Sequence, residues 1–350
     1  MKTQMQFKVL VFLVSAIFLY CLGWLIASQW IKSEVETFLT DTLVKNGKIK
    51  IRYKALERGG FPFSLAWHLI NPKIEVNFLS HTVSFNTNKT TLSIHSFFKK
   101  SVIVQNQKTE WRLLSNWDHQ KFRNISDNSR LSVSKSYDGA ITVKYSANNS
   151  GIHQFVPTNK RKQWNKFALG KHFSALIKFP NEERRTEKTS HYSMSFTIND
   201  IFIINESIIW PKDLDGITGA IELRGNPGTF ALEDLIAWRD NGGTIDIERI
   251  QFERAPNKLI VKGTLALDAD LKPIGAGTID VSGLATFLNE QQKAGRITKS
   301  EVNFLNLAIL VLSKTTQQQE KSMIRIPITA QNGKLKIGSF SLFDLPGLIR

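Results

Sequence analysis

Leu131-Ser132-Val133-Ser134-Lys135-Ser136-Tyr137-Asp138-Gly139-Ala140-Ile141-Thr142-Val143-Lys144-Tyr145-Ser146-Ala147 alternates apolar and polar residues on both sides of Asp138-Gly139. Alternation with period two puts every second side chain on one face of an extended chain. Asp-Gly favours a two-residue hairpin turn because both positions tolerate positive φ. The stretch therefore predicts antiparallel strands over Leu131 to Tyr137 and Ala140 to Ala147. Met323 to Ala330 and Lys334 to Phe340 flank Asn332-Gly333 in the same way. Short segments rich in β-branched and aromatic residues add strands at Lys50 to Tyr53, Leu65 to Leu69, Ser193 to Ile204, Ile217 to Leu223, Thr244 to Phe252, Leu259 to Asp268 and Gly277 to Val281.

Helical spacing interrupts this pattern in three places. Phe230 to Arg239 collects Leu232, Leu235, Ile236 and Trp238 on one face, and Gly283 to Lys293 collects Leu284, Phe287 and Leu288. Thr298-Lys299-Ser300-Glu301 has the capping-box pattern and opens a helix with Val302, Leu305, Ala308, Ile309 and Leu312 on one stripe. The last two segments are expected to form a helical hairpin packed on the sheet. Asn159 to Lys188 is dense in charge and is expected to be a loop between two halves. The expected fold class is α+β, mainly antiparallel β-sheet with a few helices packed on it, preceded by one N-terminal transmembrane helix.

The transmembrane helix is expected from Val9 to Ile31, which holds no charged residue. Its apolar run, with Val9, Phe12, Leu19, Trp24 and Ile26 among its members, is long enough at 1.5 Å per residue to cross a hydrocarbon core of about 30 Å. Lys2 and Lys8 precede it without an acidic neighbour, whereas Glu34, Glu36 and Asp41 follow Lys32. The positive-inside bias then leaves residues 1–8 in the cytoplasm and everything beyond residues 9–30 outside. A cleavable signal peptide would have a shorter apolar run ending in a small-x-small site, whereas Ile26-Ala27-Ser28 begins with a bulky residue, so an uncleaved anchor is favoured. From Ile31 the helical pattern continues to about Val44.

The 350 residues carry 46 basic and 30 acidic side chains, 42% hydrophobic residues and one cysteine. This excludes a disordered tail, an internal disulfide framework and a multi-thiolate zinc site. Charge divides the outer part: residues 31–200 hold 27 basic and 13 acidic side chains, residues 201–350 hold 17 of each. The basic β-rich part points to an anionic partner, either lipid headgroups or an anionic envelope polymer. Lys160, Arg161, Lys162, Trp164, Lys166 and Phe167 interleave cations and aromatic rings. Outside a membrane such a run suits phosphate headgroups, with the rings at the interface, and nucleic acid is not expected.

Catalytic chemistry is not visible. The seven histidines are widely spaced, and no nucleophile elbow and no phosphate-cradling Gly-rich loop occurs. Asp268-Ala269-Asp270 pairs two carboxylates at a strand end, but Lys272-Pro273-Ile274-Gly275 follows, which favours a turn. No cofactor, metal or enzyme activity is expected.

Two stretches carry a family resemblance. Glu57-Arg58-Gly59-Gly60-Phe61-Pro62-Phe63-Ser64, followed by Asn71-Pro72-Lys73-Ile74, contains a Gly60, Phe61, Pro62, Phe63 signature. Gly242 to Arg249, Gly263 to Asp268, Val281 to Leu284 and Asn332 to Gly338 form a C-terminal core. Together they resemble an uncharacterised bacterial membrane-anchored envelope family, domain of unknown function 2125, with a looser similarity to AsmA-like envelope proteins, whose long sheets curve into lipid-conducting grooves. The resemblance implies a bacterial inner-membrane anchor, a β-rich periplasmic body and no assigned activity. Physically, Gly59-Gly60 permits a bend and Pro62 fixes its own φ, while Phe61 and Phe63 are expected to anchor the bend in the core. The expectation is a single-pass inner-membrane protein contacting or handling lipid or another anionic amphipathic component. The alternative is a structural or interaction module bound to other envelope proteins.

Overall fold

A computed structural model describes residues 2–37, 49–61, 64–78, 81–96, 101–115, 121–157, 162–181, 190–204, 213–228, 231–293, 295, 297–300, 302–303, 323–337 and 340–345. Helix α1, Lys2–Thr37, leads into a single antiparallel sheet. Its first strands are β1 (Ile49–Arg52), β2 (Ala55–Gly59), β3 (Leu65–Ile70), β4 (Lys73–Phe78), β5 (His81–Thr87) and β6 (Lys89–Ser96). Five long strands follow, β7 (Ser101–Ser115), β8 (Lys121–Lys135), β9 (Ile141–Pro157), β10 (Lys162–Phe179) and β11 (Ser190–Ile203). The chain continues with β12 (Asp213–Arg224), α2 (Leu232–Asp240), β13 (Thr244–Arg254), β14 (Asn257–Leu267), β15 (Pro273–Ser282) and α3 (Leu284–Lys293). It ends in β16 (Met323–Gln331), β17 (Lys334–Ile337) and β18 (Phe340–Asp344).

From β7 to β18 each strand pairs with the next in sequence. The other edge of β7 is shared: Ser101 to Asn106 pair with β6, and Thr109 to Ser115 pair with β5. Two short ribbons branch there, β6–β3–β2 and β5–β4–β1. At the fork, Thr109 and Ser126 hydroxyls bond at 2.6 Å, and Thr90 donates to Asn106 at 2.6 Å. These bonds satisfy polar groups that burial would otherwise penalise. The sheet runs through residue 200 without a break, since β11 pairs with β12.

Several expectations change. Asn159 to Lys188 is not a loop: its Lys162–Phe179 part is the longest strand, paired on both edges. Phe173, Ala175, Ile177 and Phe179 alternate on one face of its second half, with Lys178 on the other face and Lys166 and Lys171 earlier along the same face. The Asp138-Gly139 hairpin exists, but its loop has three residues, because the Ser136 amide donates to the Ala140 carbonyl at 2.8 Å and leaves Tyr137 in the turn. Asn332-Gly333 forms the expected two-residue turn, with φ of 53° and 66°. The third helix opens as expected, the Val302 amide donating to the Thr298 carbonyl at 3.1 Å. Its continuation, the helical hairpin, and the extension of α1 to Val44 lie outside the described residues. Among the described residues no helix is long and apolar enough to cross a membrane.

Candidate functional site

Strand register decides which side chains share a face. Starting at Trp67 on β3, one face runs through Leu92 of β6, Val104 of β7, Leu131 of β8 and Tyr145 of β9. It continues through Ala175 of β10, Phe196 of β11, Gly219 of β12 and Ile250 of β13. Val261, Ile279 and Ile326 carry it across β14 to β16. Flanking residues two positions away are mostly apolar too, including Val133, Val143, Phe173, Ile177, Ile198, Ile217, Ile221, Ile247, Leu259, Val281 and Ile328. The opposite face of the same strands carries Ser132, Lys144, Ser174, Ser195, Thr218, Lys262, Thr278 and Arg325. The apolar face spans fourteen successive strands, β2–β3–β6–β7 and onward to β17. At about 4.8 Å per strand that is a strip of roughly 60 Å. Along β7 to β13 its described apolar side chains are half-buried or exposed, Ala147 being the buried exception, and Ser129 is a buried polar residue on the same face.

Each end of the strip carries a helix. At the first, Trp24, Ile31 and Val35 of α1 pack on Leu56, Leu65, Trp67 and Leu69. The Trp24 indole N–H donates to the Ser64 carbonyl at 3.1 Å, and its ring meets Phe61 edge-on at 5.1 Å. Phe61 is therefore not a core residue: it is 54% exposed and braces the joint between helix and sheet. Gly60 sits at φ 83°, and its carbonyl accepts the Ser64 amide at 2.8 Å, which closes a tight turn. Pro62 and Phe63 lie outside the described residues. Leu19 and Ile26 are exposed on α1, and the side chains of Val9 and Phe12 lie outside the described ones. Beside the turn, His68 shares a hydrogen bond with the Thr91 hydroxyl at 3.0 Å. Burial first, then the Lys89 charge, lowers its pKa from the ordinary histidine value, and Glu57 opposes this.

At the other end α3 lies over the strip and encloses a hollow of about 200 Å³ between Leu284 and Phe287 above and Phe252, Leu259, Val281 and Ile326 below. A charged tie holds the helix there: Arg254 Nη1 donates to Glu290 Oε2 at 2.6 Å, with Asp213 at 3.3 Å from Arg254 Nε. That pairing raises the Arg254 pKa further.

The basic aromatic run divides. Lys160 and Arg161 lie outside the described residues, and Lys162 opens β10. Trp164, Lys166 and Phe167 are strand residues, Phe167 at a bulge where its carbonyl accepts the Ile204 amide at 2.9 Å. Trp164 packs edge-on against Phe155 at 5.4 Å, and the Arg123 guanidinium lies 4.8 Å above its ring. Lys121 sits 5.3 Å over Phe155. Arg123, Lys121 and Phe155 were not singled out in sequence, although Lys121-x-Arg123 and His153-x-Phe155 carry the spacing of one strand face. Asp268 forms the expected turn, accepting the Asp270 and Lys272 amides at 2.9 and 2.8 Å. No group of three or more His, Cys, Asp or Glu side chains arranged to hold a metal occurs among the described residues.

No curated protein and no solved structure matches the chain. Residues 210–346 match a family model, a segment that runs from β12 through β18 and includes α2, α3 and the C-terminal core motifs, while the Gly-Phe-Pro-Phe signature lies outside it. Over these residues the chain is similar to the family described as an uncharacterized protein conserved in bacteria (DUF2125).

Proposed function

We propose that this protein handles lipid, or another anionic amphipathic envelope component, by laying its alkyl chains along the apolar face of the sheet. The observation that carries this reading is the strip itself: fourteen neighbouring strands turn apolar side chains to one side and leave most of them half-open. A monomer rarely keeps more than about 300–600 Å² of contiguous apolar surface uncovered without a use for it. In this reading the charge-free run from Val9 anchors α1 in the inner membrane of a bacterium, single-pass, with the N-terminus cytoplasmic and the sheet periplasmic. The joint of Trp24 with Ser64 and Phe61 then sets the start of the strip beside the membrane surface, where chains are supplied.

The test is site-specific photocrosslinking of the full chain in a Gram-negative host. A benzophenone side chain at Ile221, on the strip, should capture lipid, and one at Thr218, on the opposite face of the same strand, should not. Equal capture at both positions, or none at either, would refute the reading. Capture of a protein at Ile221 would replace it with an interaction module for other envelope proteins.

A further inference from the structure

Where β7 to β10 run on past the fork, the strip's own face changes character. Register places Arg112 opposite Arg123, Arg123 opposite His153 and His153 opposite Lys166. Four basic side chains thus stand in one cross-strand row over about 14 Å. Like charges placed directly opposite on neighbouring strands destabilise a sheet, so the Arg112–Arg123 pair costs free energy when it stands alone. Glu110 offsets part of it, 2.8 Å from Arg112 and 3.9 Å from Arg123. The Arg123 Nε is buried and makes no hydrogen bond. Among the described residues, Glu110 is the carboxylate that pairs with Arg112 and Arg123, while Lys121 lies over the Phe155 ring and Lys166 stands opposite His153. On one side of the row lie Phe155 and Trp164. On the other lie Ile125, Leu169 and Phe202, linked through Gly151, with Leu169 37% and Phe202 47% exposed.

We infer that this row is a binding site for the net-anionic phosphate headgroup of a lipid whose chain lies on the strip. The inference rests on the proposed function for its chain and on the row for its headgroup. Arginine pairs with phosphate oxygens through two parallel N–H donors, and lysine adds a point charge. The flanking rings and aliphatic side chains favour an amphiphile over a free anion, because a free phosphate gains nothing from them. Reach sets where the chain lies. Ala147 is six positions from His153 on β9, about 20 Å, and one leaflet's share of a 30 Å hydrocarbon core is about 15 Å, so a chain with its headgroup at His153 covers Ile125, Leu169 and Phe202 and ends short of Ala147 and Phe173.

The full-length protein in neutral detergent is titrated by calorimetry with dihexanoyl phosphatidylglycerol, dihexanoyl phosphatidylcholine and inorganic phosphate. The glycerol lipid should bind about tenfold or more tightly than the choline lipid, with an affinity that falls as salt rises, and inorganic phosphate should bind more weakly than either. Arg112→Gln with Lys166→Gln should bring the two lipids to within about twofold. The free double variant should melt within about 4 °C of the parent, because the exposed Arg112–Glu110 pair it loses is offset by the repulsion it loses. Equal binding of the two lipids by the parent, or a preference that survives the double variant, overturns the headgroup site while leaving the strip reading intact. Binding of inorganic phosphate as tight as that of the glycerol lipid also overturns it. Absence of lipid binding with no adduct at Ile221 overturns both.

Discussion

Trp67 offers a quantitative test of the joint between helix and sheet. Its side chain is 1% exposed and forms the centre of the cluster that Trp24, Ile31 and Val35 cover. Burying an indole of about 200 Å² contributes roughly 5 kcal/mol at 25 cal/mol/Å², and Trp→Ala changes in cores cost about 3–5 kcal/mol. The Trp67 Nε1–H is buried without a hydrogen-bond partner, a liability of about 1–3 kcal/mol that the substitution also removes. Trp67→Ala should therefore lower stability by about 2–4 kcal/mol. Trp67→Phe keeps a ring and sheds the orphan N–H, so it should stay within about 1 kcal/mol of the parent. Urea titration of the full chain in mild detergent, followed by far-UV circular dichroism, measures both. Hydrogen exchange localises the loss, which should fall on β2, β3 and β6 before β12 to β16. The reasoning fails if Trp67→Ala changes stability by less than 1 kcal/mol, or if Trp67→Phe costs as much as Trp67→Ala.

Three further outcomes follow from the same geometry. His68 is held below its ordinary pKa, so the folded state binds its proton less readily than the unfolded chain. Its contribution is complete above about pH 6.5 and is lost as pH falls through the lower folded value, and a His68→Gln variant should flatten that acid limb in a melting-temperature series. Glu290→Gln removes the charged partner of Arg254 on α3 and should raise hydrogen exchange in Leu284–Lys293 several-fold while leaving β14 protected, a pattern that mass spectrometry resolves. Phe196→Asp puts a carboxylate on the strip and should abolish lipid crosslinking from Ile221, whereas Ser195→Asp on the opposite face should leave it unchanged, with lipid yield per mole of protein as the readout.

Some of this was open to reading from local chemistry alone. Asn332-Gly333 supplies two positions with positive φ between alternating runs, and the chain turns there as expected. Asp138-Gly139 differs by one residue: the dipeptide favours a two-residue turn, but the chain closes a three-residue loop in which the Ser136 amide donates to the Ala140 carbonyl and the Ala140 amide to Asp138 Oδ1 at 3.2 Å. Lys162 to Phe179 is concealed for a stronger reason: charge at Lys166, Lys171 and Lys178 reads as a loop over the whole segment, and the Phe173, Ala175, Ile177, Phe179 alternation occupies only its second half, Lys166 and Lys171 standing earlier on the same face. The Gly60-Phe61 turn was legible as a bend, but its partner Trp24 lies forty residues away. The basic row could not be read at all, because Arg112, Arg123, His153 and Lys166 belong to four strands and meet only through register.

The composition of the strip bears on how a lipid would be held. A sixteen-carbon chain with half its surface covered gains about 6 kcal/mol at 0.8 kcal/mol per methylene, which alone corresponds to a dissociation constant in the tens of micromolar. Aliphatic and aromatic side chains supply this from β8 to β16, and along the central line of the strip, from Leu131 through Tyr145, Ala175 and Phe196 to Ile326, no polar side chain fixes a chain in one place. Position is distinguished at the α1 joint, at the basic row, under α2, where Trp238 packs on Leu223, Ile245 and Leu267, and under α3. A surface with uniform adhesion between distinct ends favours displacement along its length over residence at one point. In the proposed function the lipid therefore exchanges among neighbouring strands, the row of cations sets which headgroups enter, and the Arg254–Glu290 tie over the terminal hollow governs how readily a chain leaves.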